Sequence, residues 1–477
     1  MHNSKLIAMF EKLSNKELTK LGLYLKSPIF NKTDNIIKLY EIIKKEHPSC
    51  NSENLNKELV FKKLFPKKKK EDSSLRALMS QMSKIMEDFF IFLELEQNNK
   101  LKNELLLKSF MNRKLNNLFH KKIHSITKSL DKKPAQDTEY FHHVFELSNL
   151  DFQQLMYENS RPAKSGIQKV INDLDVYYIA TKLRYMTAII NLQNIVRVNY
   201  ELTLMEEVLD VVAHSDLQEV PFIKMYYHLC MLLKEDDEKH FEILKNLLES
   251  YGDILAGDEI RHIYTALANY CTKKIKNGKG IYLKEIFKLY KAMLNDNILM
   301  VDKYIQPYNY KNIGMAALKL KEYEWAKWFI EEYRLKVHPK YRADVYNYCI
   351  ALLYFHLKDY KKAGQHLMTV ELIDPYFYIN YKILHIKTYY EEADYEPLKS
   401  ALDALRQYIR RDKVMSNYNI ESCQNFINLL NRLLRIRFGG NRPLDNLKKD
   451  LQKMPNIGER QWLFEKTEEL INKKNKL

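Results

Sequence analysis

His120 and His124 stand four residues apart, the spacing at which two imidazoles on one helix face can share a metal ion. The hydrolytic version of that pattern needs Glu directly after the first His as general base. Lys121 stands there instead, and Lys122 adds a second cation that repels a metal. His142 and His143, with Glu146 beyond, have no Cys or Asp cluster nearby to complete a coordination set. Gly278-Lys279-Gly280 lacks both the GxxxxGK[ST] spacing and the preceding strand of a phosphate loop, so it reads as an inter-helix turn. GxSxG, HExxH and kinase-type sets are absent. Asp236-Asp237, Glu331-Glu332 and Glu391-Glu392 fall in polar turns or on helix faces, where exposed carboxylates are ordinary. The expectation is a non-catalytic chain without metal or cofactor; an enzyme would need a constellation assembled from distant residues.

Cations are the second candidate chemistry. The formal charge is +16, distributed as +6 over residues 1–100, +3 over 101–400 and +7 over 401–477, so the ends are basic. The lysine run at 67–70 reads as a solvated loop. Half of the arginines lie between Arg406 and Arg460, including Arg406, Arg410 and Arg411 on one expected helix and Arg432, Arg435 and Arg437 at the end of another. Their planar guanidinium forks suit phosphate or carboxylate, which makes them candidate contacts for nucleic acid or an acidic partner. No known nucleic-acid-binding motif accompanies them.

The elements that would position these groups are helical. Gly and Pro number only 11 and 12 in 477 residues, about 5% against roughly 12% in average usage, too few for the many sharp turns of a sandwich or barrel. The cysteines Cys50, Cys230, Cys271, Cys349 and Cys423 are far apart, with no pair at metal or redox spacing, and read as reduced and mostly buried. The apolar stretch at 6–10 is shorter than a secretory core of about 7–15 residues, and the run at 348–355 is far shorter than the ~18 a membrane span needs. A cytoplasmic protein without a membrane span is expected.

Ser14-Asn15-Lys16-Glu17 is a capping box that starts a helix running to about Lys26, where Ser27-Pro28 ends it. Phe30-Asn31-Lys32-Thr33-Asp34 starts the next helix, which runs to Glu46; another lies around 55–64, and a long one follows whose apolar face is Leu78, Met82, Ile85, Phe89 and Leu93. From 100 to 300 further helical segments are separated by breaks at 132–134, 161–162, 252–257 and 277–280, and nothing alternates with strand period. Ile167, Val170, Ile171, Leu174, Tyr177 and Tyr178 form one wide apolar stripe; Leu283, Ile286, Phe287, Tyr290 and Leu294 form another. Both imply packed helices.

Between 307 and 412 the chain repeats itself. Gly314, Tyr323 and Ala326, with Pro339 at the end, correspond to Ala351, Tyr360 and Ala363 with Pro375. A third unit carries Ile386, Tyr389, Tyr395, Leu398 and Leu402 at matching offsets, so the units begin near 307, 344 and 379. The small residues suit close helix crossings, and the Tyr and Leu positions suit the seams between units. With Tyr310, Ile313, Ile330, Ile350, Tyr354 and Leu367, this pattern resembles the tetratricopeptide repeat family. The N-terminal part, through Leu13-Ser14-Asn15-Lys16-Glu17-Leu18, Ser27-Pro28-Ile29-Phe30-Asn31-Lys32, Leu64-Phe65-Pro66 and Leu75-Arg76, resembles a group of uncharacterised cytoplasmic proteins of Bacteroidota, which implies a shared architecture and no activity.

The expected organisation is all-α: an N-terminal helical module (1–97), irregular helical hairpins (98–306), three tetratricopeptide-like units (307–412) and capping helices (413–477). The family resemblance implies a groove on the first helix of each unit, which maps onto Tyr308, Lys311, Met315 and Leu318, then Tyr348, Leu352 and Phe355, then Asn380, Ile383, Lys387 and Tyr390. Such an aromatic and apolar trough with a few cations suits an extended or helical peptide carrying apolar anchors and an acidic residue. Met315 stands where family members that clamp a terminal carboxylate place Asn, so that mode of recognition is not implied. Either a protein partner fills this trough or the chain's own N-terminal helices or C-terminal cap does. The functional expectation is an adaptor or regulatory scaffold for a protein or peptide; the alternative is a basic solenoid that binds RNA or DNA.

Overall fold

The Ser14 hydroxyl accepts the Glu17 backbone N–H at 3.3 Å while the Glu17 carboxylate accepts the Ser14 N–H at 2.8 Å, so the capping box sits where the sequence places it. This is one start among twenty-three α-helices in the described residues of the computed structural model. Those residues are all but 2, 51–52, 67–71, 131–134, 159–162, 194–197, 372–374, 413–414, 416, 439–443 and 475–477. The lysine run at 67–70 and the breaks expected at 132–134 and 161–162 lie outside them. No helix among the described residues is long and apolar enough to cross a membrane. The chain is all-α and divides into two units, residues 1–129 with 150–160, and residues 130–149 with 161–477.

The first unit holds α1 (Lys5–Phe10), α2 (Asn15–Lys26), α3 (Asp34–Lys44), α4 (Lys57–Leu64), α5 (Asp72–Gln97), α6 (Asn99–Asn112), α7 (Asn116–Leu130) and the last turns of α8 (Thr138–Tyr157). It runs on past residue 97, where a boundary was expected. Its core is built around α5, whose face Leu78, Met82, Ile85, Phe89 and Leu93 is buried as the period requires. Buried Asn31 ties the α2–α3 turn by donating to the carbonyls of Leu25 (3.0 Å) and Thr33 (3.2 Å). Gly22 is needed because a Cβ there would lie 2.7 Å from the Tyr40 hydroxyl, which donates to Leu18 O at 2.8 Å.

In the second unit, α9 (Ala163–Gln193), α10 (Met205–Ala213), α11 (Pro221–Glu235), α12 (Glu238–Tyr251), α13 (Gly257–Lys276) and α14 (Tyr282–Asn295) lead into α15 (Pro307–Lys319), α16 (Tyr323–Glu332), α17 (Pro339–His356), α18 (Tyr360–Met368), α19 (Pro375–Glu391) and α20 (Tyr395–Arg411). Then come α21 (Asn417–Arg437), α22 (Leu444–Lys453) and α23 (Arg460–Lys474). Neighbouring helices pack in sequence order, and one continuous hydrophobic core runs from α9 to α23.

Two expectations need correction here. The stripe on α9 is only partly packed over its first half: Ile167, Ile171, Leu174 and Tyr178 are exposed, while Val170 and Tyr177 are half-buried, Tyr177 against His142 and Phe145 of α8, and full burial sets in around Ile179. Strand pairing also occurs. Residues Met300–Val301 (β1) and Tyr304–Ile305 (β2) form a minimal antiparallel hairpin in the register Met300↔Ile305 and Val301↔Tyr304. Asp302 and Lys303 turn it with φ of 48° and 71°. A two-residue turn with both φ positive favours Asn-Gly, so Asp-Lys gave no signal.

From Pro307 the helices repeat with a common turn. Lys321, Lys358 and Ala393 each take a left-handed φ, of 65°, 64° and 59°. The next residue reaches back five positions: Glu322 N–H to Ala317 O (3.0 Å), Asp359 N–H to Tyr354 O (2.9 Å) and Asp394 N–H to Tyr389 O (3.0 Å). This closure satisfies carbonyls left unpaired at the end of α15, α17 and α19 and sets the direction of the following helix. Each partner helix then opens on a tyrosine: Tyr323, Tyr360 and Tyr395. Ala326, Ala351 and Ala363 are wholly buried, and Gly314 has the Ile330 side chain and Cys349 Sγ within about 4 Å of where a Cβ would stand.

Candidate interaction site

The first helices of the three pairs, α15, α17 and α19, bring Lys319, His356, Phe355, Lys387 and Tyr390 toward the segment that leads into α23. Glu459, the residue before α23, sits between two lysines: its carboxylate is 2.6 Å from Lys387 Nζ and 3.6 Å from Lys319 Nζ. Lys387 is buried, with its ammonium 4.7 Å from the Phe355 ring centre and 5.6 Å from that of Trp462. Trp462, on the first turn of α23, meets Tyr390 edge to face at 5.2 Å and donates its indole N–H to Glu391 at 2.8 Å. Lys466, one turn on, also binds Glu391 at 2.9 Å.

The charges are mutually dependent. Burial opposes ionisation of Glu459, but the Lys319 and Lys387 ammoniums outweigh it and hold the carboxyl well below the usual carboxylate range. His356, at the end of α17, is pushed down to about 3, first by burial and then by the two lysines. It is therefore neutral at pH 7, and the cradle carries two positive charges against one negative.

The backbone that delivers Glu459 is held by α21 and its neighbours. Asn456 and Glu459 both have left-handed φ, 54° and 51°. The side-chain amide of Asn456 donates to Tyr418 O and Glu421, and Gly458 N–H donates to Ser422 O at 3.1 Å. A Cβ on Gly458 would lie 3.2 Å from Ser422 O, a tight approach that glycine accommodates without displacement. Arg460 donates to the carbonyls of Leu451, Met454 and Lys276.

The trough residues expected from the sequence are therefore mostly covered. Lys311, Leu318, Tyr348, Leu352, Phe355, Lys387 and Tyr390 are buried; Met315, Asn380 and Ile383 are half-buried; Tyr308 is exposed. Sequence reasoning missed Glu391, read as an ordinary exposed acid: its side chain is only 11% exposed and anchors Trp462 and Lys466. It also missed Glu459, Lys319 and His356.

The candidate arginines are divided among several local settings. Arg406 pairs with Asp403 at 2.7 Å, Arg432 with Asp450 at 2.7 Å, and Arg437 lies over the rings of Tyr390 and Tyr395 at 5.1 and 5.5 Å. Arg410, Arg411 and Arg435 are exposed. Between α20 and α21, Arg406 and Arg410 face Gln424 and Asn428 across a cleft of about 210 Å³ with Ile409 and Ile427 in its floor.

His120 bonds Glu158 at 3.0 Å while His124 is exposed; His143 is buried and His142 exposed. No group of three or more metal-ligating side chains occurs among the described residues. Gly278, at φ 90°, turns the chain between α13 and α14. Asp236 ends α11 and pairs with Lys274 at 2.9 Å, and Asp237 caps α12. Glu331 accepts the Tyr346 hydroxyl at 2.9 Å. All five cysteines are buried and none is in a disulfide. A buried polar set joins Arg184, Glu259, Tyr226 and His262, with Arg184 2.8 Å from Glu259 and the Tyr226 hydroxyl bonded to Glu259 and to His262. It ties α9, α11 and α13 together.

No family model, curated protein or solved structure matches this chain.

Proposed function

We propose that this chain is a non-catalytic adaptor or regulatory scaffold whose tetratricopeptide-like helix pairs hold a segment of a protein partner. The observation that carries the reading is the join at Glu459. A loop and the start of a helix lie across α15, α17 and α19, held there by one carboxylate between two lysines and one tryptophan against a tyrosine. Those are the contacts by which a helical row binds a peptide: a few apolar anchors with an acidic residue for register. Within this reading the protein is cytoplasmic and needs no cofactor.

The test is affinity purification of the full chain from its native host, as wild type and as the Glu459→Gln and Lys387→Ala variants. A partner that rises in yield with Glu459→Gln and falls with Lys387→Ala supports the reading. Recovery unchanged by both variants counts against it.

A second reading, nucleic-acid binding, is favoured by the Arg406, Arg410, Gln424 and Asn428 cleft. Neutralised phosphates release counterions, so affinity would fall steeply with salt, and less steeply after Arg406→Gln and Arg410→Gln. Absence of binding at low salt removes this alternative.

A further inference from the structure

We propose that the face formed by Lys319, Phe355, Lys387 and Tyr390 recognises a helix start bearing a carboxylate three residues before a tryptophan, and that Glu459 and Trp462 are a resident copy of that ligand. The inference rests on the scaffold reading and deepens it: the occupant is a protein segment of acidic and aromatic chemistry, and the chain's own C-terminal segment competes with it.

Charge complementarity selects the occupant. Three successive first helices contribute Lys319, His356 and Lys387 to one spot, and the carboxylate that answers them comes from outside the repeat, 72 residues beyond Lys387. Removing that carboxylate leaves Lys387 buried between aromatic rings with no counter-charge, a state that draws in another acid. The ring of Trp462 supplies the second requirement. It packs against Tyr390, contacts Phe426 of α21 at 6.4 Å, and covers Lys387. Glu459 immediately precedes α23 and its carbonyl accepts the Leu463 N–H at 3.0 Å, so carboxylate and indole lie on one helical turn.

The same contacts make the resident segment exchangeable. Beside the apolar core that Ile457, Trp462 and Leu463 share with the repeat helices, its join carries a polar set: Glu459 with Lys319 and Lys387, and Trp462 and Lys466 with Glu391. Buried ion pairs return little more than their desolvation costs, so a closure of this kind holds less firmly than an apolar seam. Two non-glycine residues in left-handed conformation, Asn456 and Glu459, add strain to the closed form. An external segment with the same acid and aromatic competes for the same lysines.

The experiment uses the full chain and a fluorescein-labelled synthetic peptide spanning residues 454–474, followed by anisotropy. Wild type, with its face occupied, binds weakly. A full chain carrying Glu459→Ala and Trp462→Ala, whose resident ligand is disabled, binds the peptide at least tenfold more tightly. Adding Lys387→Ala to that chain returns binding to the wild-type level. A peptide carrying the same Glu459→Ala and Trp462→Ala changes binds neither protein. If the doubly substituted chain has no cooperative melt, Glu459→Gln alone takes its place under the same criteria. Equal binding by wild type and opened chain, equal binding of native and substituted peptides, or no binding at all overturns the proposal. Dimerisation of the opened chain without peptide binding also overturns it, and assigns the face to a second copy. Peptide failure with partner recovery still sensitive to Lys387 rejects this inference alone. Peptide binding with no partner recovered from the host rejects the scaffold reading alone.

Discussion

The core around α5 and the join between the repeat helices and α23 are both buried, yet they are closed by different chemistry. Around α5 the inward side chains are Leu, Ile, Met and Phe, and the buried hydroxyl of Tyr40 is satisfied locally by Leu18 O. At the join, Lys387, Glu459, Glu391 and Lys466 add a charged set to the apolar contacts of Ile457, Trp462 and Leu463. Apolar burial is non-directional and hard to replace piecemeal, whereas a charge cradle specifies its occupant and accepts a chemical equivalent. The contrast separates a region built to stay shut from one built to recognise.

Acidification should widen the difference most. Burial is the leading cause that lowers His228 and His385 to about 4 and His356 to about 3, and all three belong to the second unit. They are neutral when folded, so below their ordinary value of 6.5 the unfolded chain takes up protons that the folded chain refuses. Their contribution is intact above pH 6.5 and falls as pH drops toward 4, by about 2 kcal/mol each at pH 5. Glu459 acts lower: its depressed value stabilises the fold above about pH 4.5 and is lost on further acidification. All three tryptophans, Trp325, Trp328 and Trp462, lie in the second unit, so tryptophan emission isolates its unfolding. The urea midpoint read by emission should fall markedly between pH 7 and pH 5; an unchanged midpoint would contradict the burial of these histidines.

Truncation of the apolar core comes next. Phe89 is fully buried and meets Tyr24 edge to face at 5.3 Å, so Phe89→Ala should cost about 3–5 kcal/mol in the unfolding transition of the first unit, measured by circular dichroism. No compensating second substitution should restore it.

The cradle should behave otherwise. Lys387→Met leaves Glu459 facing only Lys319, and because that carboxylate is one-fifth exposed the loss should be about 2 kcal/mol. Adding Glu459→Gln should return most of it. Losses that simply add would show that the pair is not coupled.

Gly22→Ala is the smallest change. The added methyl gains helix propensity but displaces the Tyr40 hydroxyl from 2.7 Å away, for a net loss of about 1 kcal/mol in the same first-unit transition.

Much of this arrangement was legible in the residues. The α5 face and the small residues Ala326, Ala351 and Ala363 follow from helical period and spacing, because burial of a helix stripe is a local property of sequence. Lys387 and Tyr390 came only through the family resemblance, as positions of a partner-binding groove. Their occupant was not legible: Asn456-Ile457-Gly458-Glu459 reads as an ordinary polar break, and its meeting with Lys387 depends on a fold-back that no local pattern encodes. Glu391 was missed for the same reason, since an acid at a helix end looks solvated until a tryptophan 71 residues away arrives. The first half of α9 shows the converse, a periodic stripe of which only Val170 and Tyr177 are half-buried and the rest exposed.

The most direct test of the polar join is hydrogen exchange of the full chain, comparing wild type with Lys387→Gln. The account predicts that amides of α23 lose at least tenfold of their protection in the variant while those of α5 are unchanged. Equal protection of α23 in both proteins would contradict it, because the segment would then be held without the lysine cradle.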